Sequence, residues 1–573
     1  MIRRARVVRR RPAGSAPVSG CGSPVVARAL AARGCSRVPD YSLAALLPPT
    51  LSGLDRAAGL LANCIEHGRR IVVVGDFDAD GATGTALAVR GLKGLGAGNV
   101  GWRMPDRVRH GYGLSVKLAE ECLAEQPALV VTVDHGISSH QGVARLRAAG
   151  IDVVVTDHHL PGPGLPDASA IVNPNCDGDE FPSRHLAGVG VMFYTLIALR
   201  AELRRRGRPA DFRLDSLLDL VALGTVADLV KLDENNRRMV YQGLRRIRDR
   251  RCQPGVAALL EVAGRNLAHV SASDLGFVAG PRLNAAGRLD DISIGIRCLL
   301  ADDFDRALEH ARTLDELNRE RQQIQADMTV QARSIADDML AAIEGTPGGY
   351  CLYDPDWHPG VVGLVASRIC EHSRRPVIAL APAGDGSDEW KGSCRSPEGV
   401  HMRDLLAELD ARHPELIDRF GGHARAAGLS IAGDRLDALR EAFDAQVAAL
   451  EFAPDRVFSD GELLPAELTL ATAQALADAG PWGQGWEEPL FDGRFRVLER
   501  RVVGNHHLKL VVEPAGGGAA LDAIAFRAGD LCHNELPDPF HVTYRLEINR
   551  WRGNVAVQIN IQHLVGTIDP NTV

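Results

Sequence analysis

The chain has 573 residues, enough for roughly three or four domains of about 150 residues each. Its hydrophobic content of 45% and charged content of 24% are typical of a globular protein with a large core. The net charge of −8 excludes a uniformly basic nucleic-acid coat, although it is compatible with a local basic channel.

The N-terminal segment is rich in arginine, with six among its first eleven residues. It lacks the apolar core of a signal peptide, so we interpret residues 1–50 as a disordered basic tail and lead-in. No apolar run approaches the ~18–20 residues of a membrane span. The eleven cysteines form no CxxC pair, which indicates reduced thiols rather than disulfides or structural zinc. We therefore predict a cytoplasmic protein without membrane contact.

Three short apolar segments then alternate with segments of helical composition. The predicted strands are 71–76, 128–136 and 151–159, and the predicted helices are 82–95, 114–125 and 138–149. This alternation is typical of a parallel sheet covered by helices, and we assign it to a domain at 51–300. All three strands end in aspartate or histidine, at the sheet edge where open α/β sheets bind ligands.

The rest of the chain divides into three further parts. An amphipathic stretch without glycine or proline predicts a connecting helix at 301–345. A second α/β unit follows at 346–452. Residues 453–573 show the alternation of antiparallel strands, which predicts a small barrel or sandwich.

The polar ends of the predicted strands form an acidic cluster. We expect carboxylates and imidazoles to meet there, joined by an aspartate from the later segment 224–237. Such a set suits divalent cations: oxygen ligands alone favour Mg²⁺ or Ca²⁺, and histidine shifts the preference toward Mn²⁺. Six or more candidate ligands exceed what one ion needs and indicate two ions, the arrangement that serves phosphoryl displacement. The plainer interpretation of any single aspartate is a cap for the following helix. The cluster consists of Asp76, Asp78, Asp80, Asp134, His135, Asp157, His158, His159 and Asp228.

Two further segments carry residues suited to phosphate. Arg107 and Tyr112 flank a glycine turn, and Arg282, Asn284 and Arg288 share a segment that we interpret as a Gly/Ala-rich loop. Each guanidinium could bind a phosphate with two hydrogen bonds. Spacing alone favours the alternative, solvated surface arginines.

Several motifs resemble a known family. The segments 76-DFDADG-81 and 157-DHH-159 are similar to the signature of the DHH phosphoesterase superfamily. The segments 224-GTVADLVKLDENNR-237, 280-GPRLNAAGRLD-290 and 421-GGHARAAGLSI-431 resemble the RecJ family of single-strand-specific DNA exonucleases. The resemblance covers about residues 24 to 564. It implies a DHH domain, a DHHA1 domain and a C-terminal OB fold.

The resemblance also implies an activity: degradation of single-stranded DNA from the 5′ end, releasing mononucleotides, in recombination and repair. It implies two divalent cations, with Mn²⁺ preferred and Mg²⁺ as the second choice. It assigns catalytic roles to Asp134, His158 and His159. The implied metal ligands are Asp76, Asp78, Asp80, Asp134, His158 and Asp228, with Asp76 open between ligand and supporting partner. The implied substrate contacts are Arg107, Tyr112, Arg282, Ser393, Arg395 and His423, and we add Asn284 and Arg288 because they share the Gly/Ala-rich segment with Arg282.

One segment departs from the family pattern: the usual glycine turn appears as 482-WGQGWEEPLF-491, which puts DNA contacts at that loop in doubt. Two alternative functions remain open. One is a small-substrate DHH phosphohydrolase acting on nanoRNA or cyclic dinucleotides, which would need neither the C-terminal barrel nor the long helix. The other is a catalytically silent repair scaffold, which the intact acidic cluster opposes. We expect a monomer, with a single-strand-binding protein and a RecQ-type helicase as partners.

Overall fold

The computed structural model describes the chain except residues 1–5, 13–17, 107–108, 343–346, 385, 451, 453–455, 505, 534–535, 552 and 569–573. The described residues form two compact units. The first comprises Met1–Asp315 with Arg456–Val573, and the second comprises Glu316–Asp455. The division falls inside a long helix.

The first unit contains a five-stranded parallel sheet. Before it come strand β1 (Arg6–Arg10), described below with the barrel, and helices α1 (Pro24–Ala31) and α2 (Leu54–Glu66). The sheet has the order β3-β2-β4-β5-β6, so the strands that carry polar ends lie side by side. Its members are β2 (Ile71–Val74), β3 (Val100–Arg103), β4 (Leu129–Val133), β5 (Asp152–Thr156) and β6 (Ala170–Val172).

The strands of this sheet are apolar on both faces because helices cover both faces. One face is covered by helices α4 (Val116–Leu123) and α5 (His140–Ala148). There the strand residues Val72, Val130 and Val153 pack with Leu118 of α4 and Leu146 of α5. The other face packs against helices α2, α3 and α6. The remaining helices of this region are α3 (Ala79–Gly94), α6 (Gly188–Arg205), α7 (Leu218–Ala227), α8 (Glu234–Arg248), α9 (Pro254–Glu261), α10 (Ala272–Asp274), α11 (Gly280–Leu289) and α12 (Ser293–Leu300).

The predicted Gly/Ala-rich loop at 280–290 is wrong, because this segment is helix α11. Pro281 stands at the first turn, where it needs no hydrogen-bond partner, and the leucine and alanine residues that follow favour a helix. Gly287 allows α11 to lie directly on the acidic turn, since a Cβ there would be 2.0 Å from the carbonyl oxygen of Phe77. The small residues therefore serve close helix packing.

The predicted connecting helix is confirmed as α13 (Phe304–Ala342), which is 39 residues long. The second unit then forms a five-stranded sheet of order β10-β11-β9-β8-β7, in which only β7 and β8 are parallel. Helices α14, α15 and α16 pack on it. These elements are β7 (Tyr350–Tyr353), α14 (Val362–Ser373), β8 (Val377–Pro382), β9 (Glu389–Arg395), α15 (Met402–Arg412), β10 (Arg419–Gly422), β11 (Ala426–Ala432) and α16 (Leu436–Ala448).

The C-terminal part is a closed barrel, as the alternation predicts. Pairing runs β17-β15-β14-β13-β16, and β16 pairs again with β17 to close the circle. Closure leaves no free sheet edge among these five strands. The elements are β12 (Arg456–Ser459), α17 (Leu470–Asp478), β13 (Phe491–Val503), β14 (His507–Pro514), β15 (Leu521–Ala525), β16 (Phe540–Trp551) and β17 (Asn554–Ile568).

The predicted disordered tail is wrong at Arg6–Arg10, because these residues form strand β1 between β12 and β17. The last residue of this strand, Arg10, and the residue after it, Arg11, pair with acids of the barrel region. Arg10 binds Asp492 with two hydrogen bonds of 3.1 and 2.7 Å, and Arg11 lies 3.0 Å from Asp460. The local pattern of valine and arginine gave no sign of partners so distant in the chain.

Among the residues that the structure describes, no helix combines the length and the apolar character needed to cross a bilayer.

Candidate metal centre

The acidic turn after β2 begins helix α3. Asp78 is the N-cap residue, and its Oδ1 accepts hydrogen bonds from the backbone N–H groups of Asp80 (2.9 Å) and Gly81 (3.0 Å). These two groups lack partners inside the helix, which is why an aspartate is favoured here. Asp76 is buried, with 4% of its surface exposed. The turn therefore fixes three carboxylates at one edge of the sheet.

Helix α11 supports this turn through a residue that we predicted to bind phosphate. Asn284 accepts a hydrogen bond from the backbone N–H of Ala79 at 2.7 Å. That N–H belongs to the first residue of α3 and is buried, so it needs such a partner. The structure gives Asn284 a positioning contact to the acidic turn.

Asp80 is held by the start of helix α6. Its two carboxylate oxygens accept from the backbone N–H groups of Gly188 (2.6 Å) and Val189 (3.0 Å). A helix N-terminus stabilises negative charge through these unpaired N–H groups. The start of α6 also lies directly against Asp134, and glycine is needed for that contact because a Cβ at position 188 would lie 2.4 Å from Cβ of Asp134.

Asp134 and Asp228 complete the cluster around His158. Asp134 follows β4 in a left-handed conformation, with φ of 68°, and is buried. Its Oδ1 lies 3.0 Å from Nε2 of His158, while Oδ2 of Asp228 lies 3.6 Å from the same nitrogen. Asp228 caps the C-terminal end of α7. The imidazole thus lies between carboxylates that come from two different elements.

Asp157 orients the two histidines that follow it. Its Oδ1 accepts from the backbone N–H groups of His158 (2.7 Å) and His159 (3.1 Å) and lies 2.8 Å from Nδ1 of His159. Its Oδ2 accepts from Ile137 at 2.9 Å. Burial opposes ionisation of Asp157, but these hydrogen bonds and the charges of the histidines outweigh it, and the pKa of Asp157 lies well below its usual value.

His159 faces a tyrosine on its other side. Burial disfavours its charged form, yet the hydrogen bond and charge of Asp157 more than compensate and raise the pKa of His159. Its Nε2 lies 3.4 Å from the hydroxyl of Tyr112. Tyr112 is 55% exposed and follows the predicted glycine turn, in which Gly111 and Gly113 both have positive φ.

The electrostatics of the cluster fit a divalent cation. Burial, together with the neighbouring carboxylates, raises the pKa of Asp80 to about 7 and the pKa values of Asp134 and Asp228 well above their usual range. Buried carboxylates this close repel one another unless a cation or protons neutralise them. Three sets of possible ligand atoms each lie within 4.8 Å of one another: Asp76, Asp78 and Asp134; Asp80, His158 and Asp228; and Asp134, His158 and His159.

Two of the arginines that we predicted to bind phosphate, Arg282 and Arg288, lie on helix α11. Arg282 on α11 binds Asp315 at 3.0 and 2.7 Å and the carbonyl oxygen of Val278 at 2.7 Å. Arg288 lies one turn beyond Asn284 on the same helix. Arg107 lies outside the described residues.

The second unit carries the other predicted contacts. Ser393 and Arg395 lie two residues apart on β9, and both lie next to the start of α14: a Cβ at Gly363 would be 3.1 Å from Oγ of Ser393 and 3.2 Å from Nη2 of Arg395. Arg395 donates to Oγ of Ser367 at 3.1 Å. His423 precedes β11, and its backbone N–H donates to Ala426 at 2.7 Å.

Comparison with protein families gives three matches along the chain. The model of the DHH family N-terminal domain matches residues 70–225. The DHHA1 domain model matches residues 330–449, and the RecJ OB domain model matches residues 459–563.

Whole-length relatives and solved structures agree with these matches. The single-stranded-DNA-specific exonuclease RecJ of Salmonella typhimurium is 50% identical over 556 residues, covering 94% of this chain and 96% of the relative. RecJ of Escherichia coli K12 is 49% identical over 553 residues, with the same coverage. The crystal structure of Thermus thermophilus RecJ with Mn²⁺ is similar with a TM-score of 0.78 at 32% identity, covering 99% of this chain and 80% of that chain.

Proposed function

The chain belongs to the RecJ family of single-stranded-DNA-specific exonucleases, and on that basis we propose that it removes mononucleotides successively from the 5′ end of single-stranded DNA. It is a metal-dependent nuclease with the predicted architecture of DHH, DHHA1 and OB domains. The proposal adds the direction of digestion, the product and the residues that carry the reaction.

One observation carries the residue assignment: five carboxylates and two imidazoles converge at the carboxyl edge of the parallel sheet, in overlapping groups within 4.8 Å. The set mixes oxygen ligands with one or two histidines, which suits Mn²⁺ and accepts Mg²⁺. RecJ of Thermus thermophilus has been crystallised with each of these ions. The proposed ligands are Asp76, Asp78, Asp80, Asp134, His158 and Asp228.

When bound, two such ions neutralise the carboxylates and supply a nucleophilic water and charge stabilisation for the phosphoryl group. The protein's own contribution is rigidity. Asp80 is fixed by two N–H groups of α6 and Asp78 by the first turn of α3. His158 is fixed through its backbone, since its N–H binds Asp157 and its carbonyl oxygen accepts from Asn175 at 2.6 Å.

His159 is proposed as the proton donor of the reaction. Asp157 holds its Nδ1, so Nε2 can carry a proton toward the oxygen that leaves phosphorus. Water adds its oxygen to phosphorus, the bond between phosphorus and the 3′ oxygen breaks, and that oxygen receives the proton. Despite burial, the hydrogen bond and the charge of Asp157 raise the pKa of His159, the direction that a proton donor requires.

The substrate contacts remain proposals. Tyr112 is exposed beside His159, where it could contact the terminal nucleotide. Arg107, Arg282 and Arg288 are proposed for phosphates, as are Ser393, Arg395 and His423 in the second unit. For Arg282, phosphate binding requires exchange of its ion pair with Asp315.

The two alternatives receive no support. The compared relatives are named exonucleases, and residues 459–563 of this chain match the RecJ OB domain, so a small-substrate phosphohydrolase is disfavoured. A silent scaffold would not need to keep every member of the buried acidic cluster.

The proposed setting is DNA recombination and repair in the cytoplasm, by a monomer. All eleven cysteines are free thiols, which supports a reducing compartment. A single-strand-binding protein and a RecQ-type helicase are the proposed partners, because both determine the supply of single strands.

The test uses 5′-labelled single-stranded DNA, duplex DNA, pyrophosphate and a dinucleotide, each with Mn²⁺, Mg²⁺ or EDTA. We expect Mn²⁺-dependent release of a labelled mononucleotide from single strands only. Equal cleavage of duplex, release of label only at the end of digestion, or full activity of Asp134→Ala would refute the proposal.

A further inference from the structure

The loop that follows Asp228 is held from two directions. Leu229 has a positive φ of 61° and is 61% exposed, so the chain leaves α7 in an open turn. Three residues later Leu232 is buried, and α8 begins after Asp233. The position of Asp228 therefore depends on α7 on one side and on the anchoring of Leu232 on the other.

That anchor comes from the C-terminal barrel. The backbone N–H of Leu232 donates to the carbonyl oxygen of Gln484 at 2.7 Å. Gln484 belongs to 482-WGQGWEEP-489, the segment that departs from the family pattern and that we call the barrel turn. Its glycines bring it against the loop: a Cβ at Gly483 would lie 2.6 Å from the Leu232 side chain, and one at Gly485 would lie 2.5 Å from Lys231.

An arginine connects the barrel turn with the same loop. Arg237 of α8 donates to the carbonyl oxygen of Leu232 at 2.8 Å, and its guanidinium lies 3.9 Å from the ring centroid of Trp486. Both side chains are more than nine-tenths buried. The guanidinium is thus fixed by the aromatic face and in turn fixes the backbone that leads away from Asp228.

We propose that the barrel turn is a positioning element of the metal centre, and that Trp486, through Arg237 and Leu232, sets the place of Asp228. Metal affinity then depends on a residue of the nucleic-acid-binding barrel that touches neither metal nor substrate. Residues that orient metal ligands from outside typically change affinity or activity by 10- to 100-fold when they are altered. This inference rests on the proposed role of Asp228 as a ligand.

The experiment measures Mn²⁺ binding to the full-length, EDTA-treated protein by calorimetry, together with thermal unfolding. We expect Trp486→Ala to weaken Mn²⁺ binding about tenfold. Trp486→Phe should restore nearly wild-type affinity, because it keeps the ring face for Arg237 and because the indole nitrogen has no hydrogen-bond partner within the described residues. Should Trp486→Ala not fold, Trp486→Leu, which keeps apolar volume without a ring, carries the same expectation.

Two further variants separate the possible outcomes. Leu510→Ala opens a cavity inside the barrel, on strand β14 whose strand partners are β13 and β15 rather than the barrel turn, and should lower the melting temperature with unchanged Mn²⁺ affinity. Asp228→Asn should lose the affinity that the ligand supplies. Wild-type affinity in Trp486→Ala or Trp486→Leu, or an equal loss in Leu510→Ala, overturns the positioning role alone. Wild-type affinity in Asp228→Asn overturns the proposed ligand role of Asp228, on which this inference rests.

Discussion

Replacing Asp228 with asparagine should make the metal-free protein more stable while it removes metal binding. The ligand atoms of Asp80 and Asp228 lie within 4.8 Å of each other. Two unit charges at that distance repel by about 3.5 kcal/mol at an effective dielectric constant of about 20. Protonation already relieves part of this, as the raised pKa values of both groups indicate. We therefore expect a gain of roughly 1–2 kcal/mol near pH 7.5, or a few degrees in melting temperature.

The assay is thermal unfolding of wild type and Asp228→Asn, in EDTA and in excess Mn²⁺. Wild type should gain about 2.7 kcal/mol when Mn²⁺ is present at about one hundred times its dissociation constant, and the variant should gain far less. A variant that is less stable than wild type in EDTA would contradict the repulsion argument. A variant with the full Mn²⁺ gain would contradict the ligand role of Asp228.

Four further results are expected. The stability of the metal-free wild type should fall as the pH rises from about 4 to about 7. Folding raises the pKa of Asp80 from 3.8 to about 7, so the proton that the folded state binds more tightly is lost over that range. Thermal unfolding at a series of pH values in EDTA should show this fall, and excess Mn²⁺ should abolish it. Asn284→Ala should cost about 1–3 kcal/mol of stability and weaken Mn²⁺ binding, because the buried N–H of Ala79 loses its partner. A rise in KM for DNA with unchanged stability and Mn²⁺ affinity would instead favour phosphate binding by Asn284. Arg282→Gln should raise KM for single-stranded DNA with unchanged Mn²⁺ affinity, and unchanged KM would remove it from the substrate contacts. His159→Gln should lower kcat by about 10²- to 10⁴-fold with Mn²⁺ affinity retained, as steady-state kinetics and calorimetry can establish.

The parallel sheet was predictable because its central strands are continuous apolar runs that end in charge. Its outer strands were not found: β3 (Val100–Arg103) contains a glycine and is half-exposed, and β6 (Ala170–Val172) has three residues. Strand β1 gave no local signal, since its partners are β12 and β17 near the other end of the chain. Segments whose conformation depends on distant pairing do not reveal it in their own composition.

At the site, the sequence predicted the cluster but not its supports. An aspartate after a strand can be a helix cap or a metal ligand, and Asp78 is placed to be both. It caps α3, and its carboxylate lies within 4.8 Å of those of Asp76 and Asp134. Asn284 was assigned to phosphate because polar residues in a glycine-rich stretch suggest a loop, whereas its partner Ala79 is 205 positions away. The hydrogen bond from Ile137 that holds Asp157 forms only because β4 and β5 are neighbours, since Ile137 follows the adjacent strand.

The pairing of β1 with the barrel has a consequence for synthesis of the protein. Arg10 leaves the ribosome long before Asp492, its partner 482 positions later, so the barrel region cannot be completed until translation is nearly finished. The parallel-sheet domain, made much earlier, can fold first. If the barrel turn sets the place of Asp228, a nascent chain already carries every ligand but binds metal weakly. Metal affinity would then reach its full value only after the C-terminal barrel has been made and has folded.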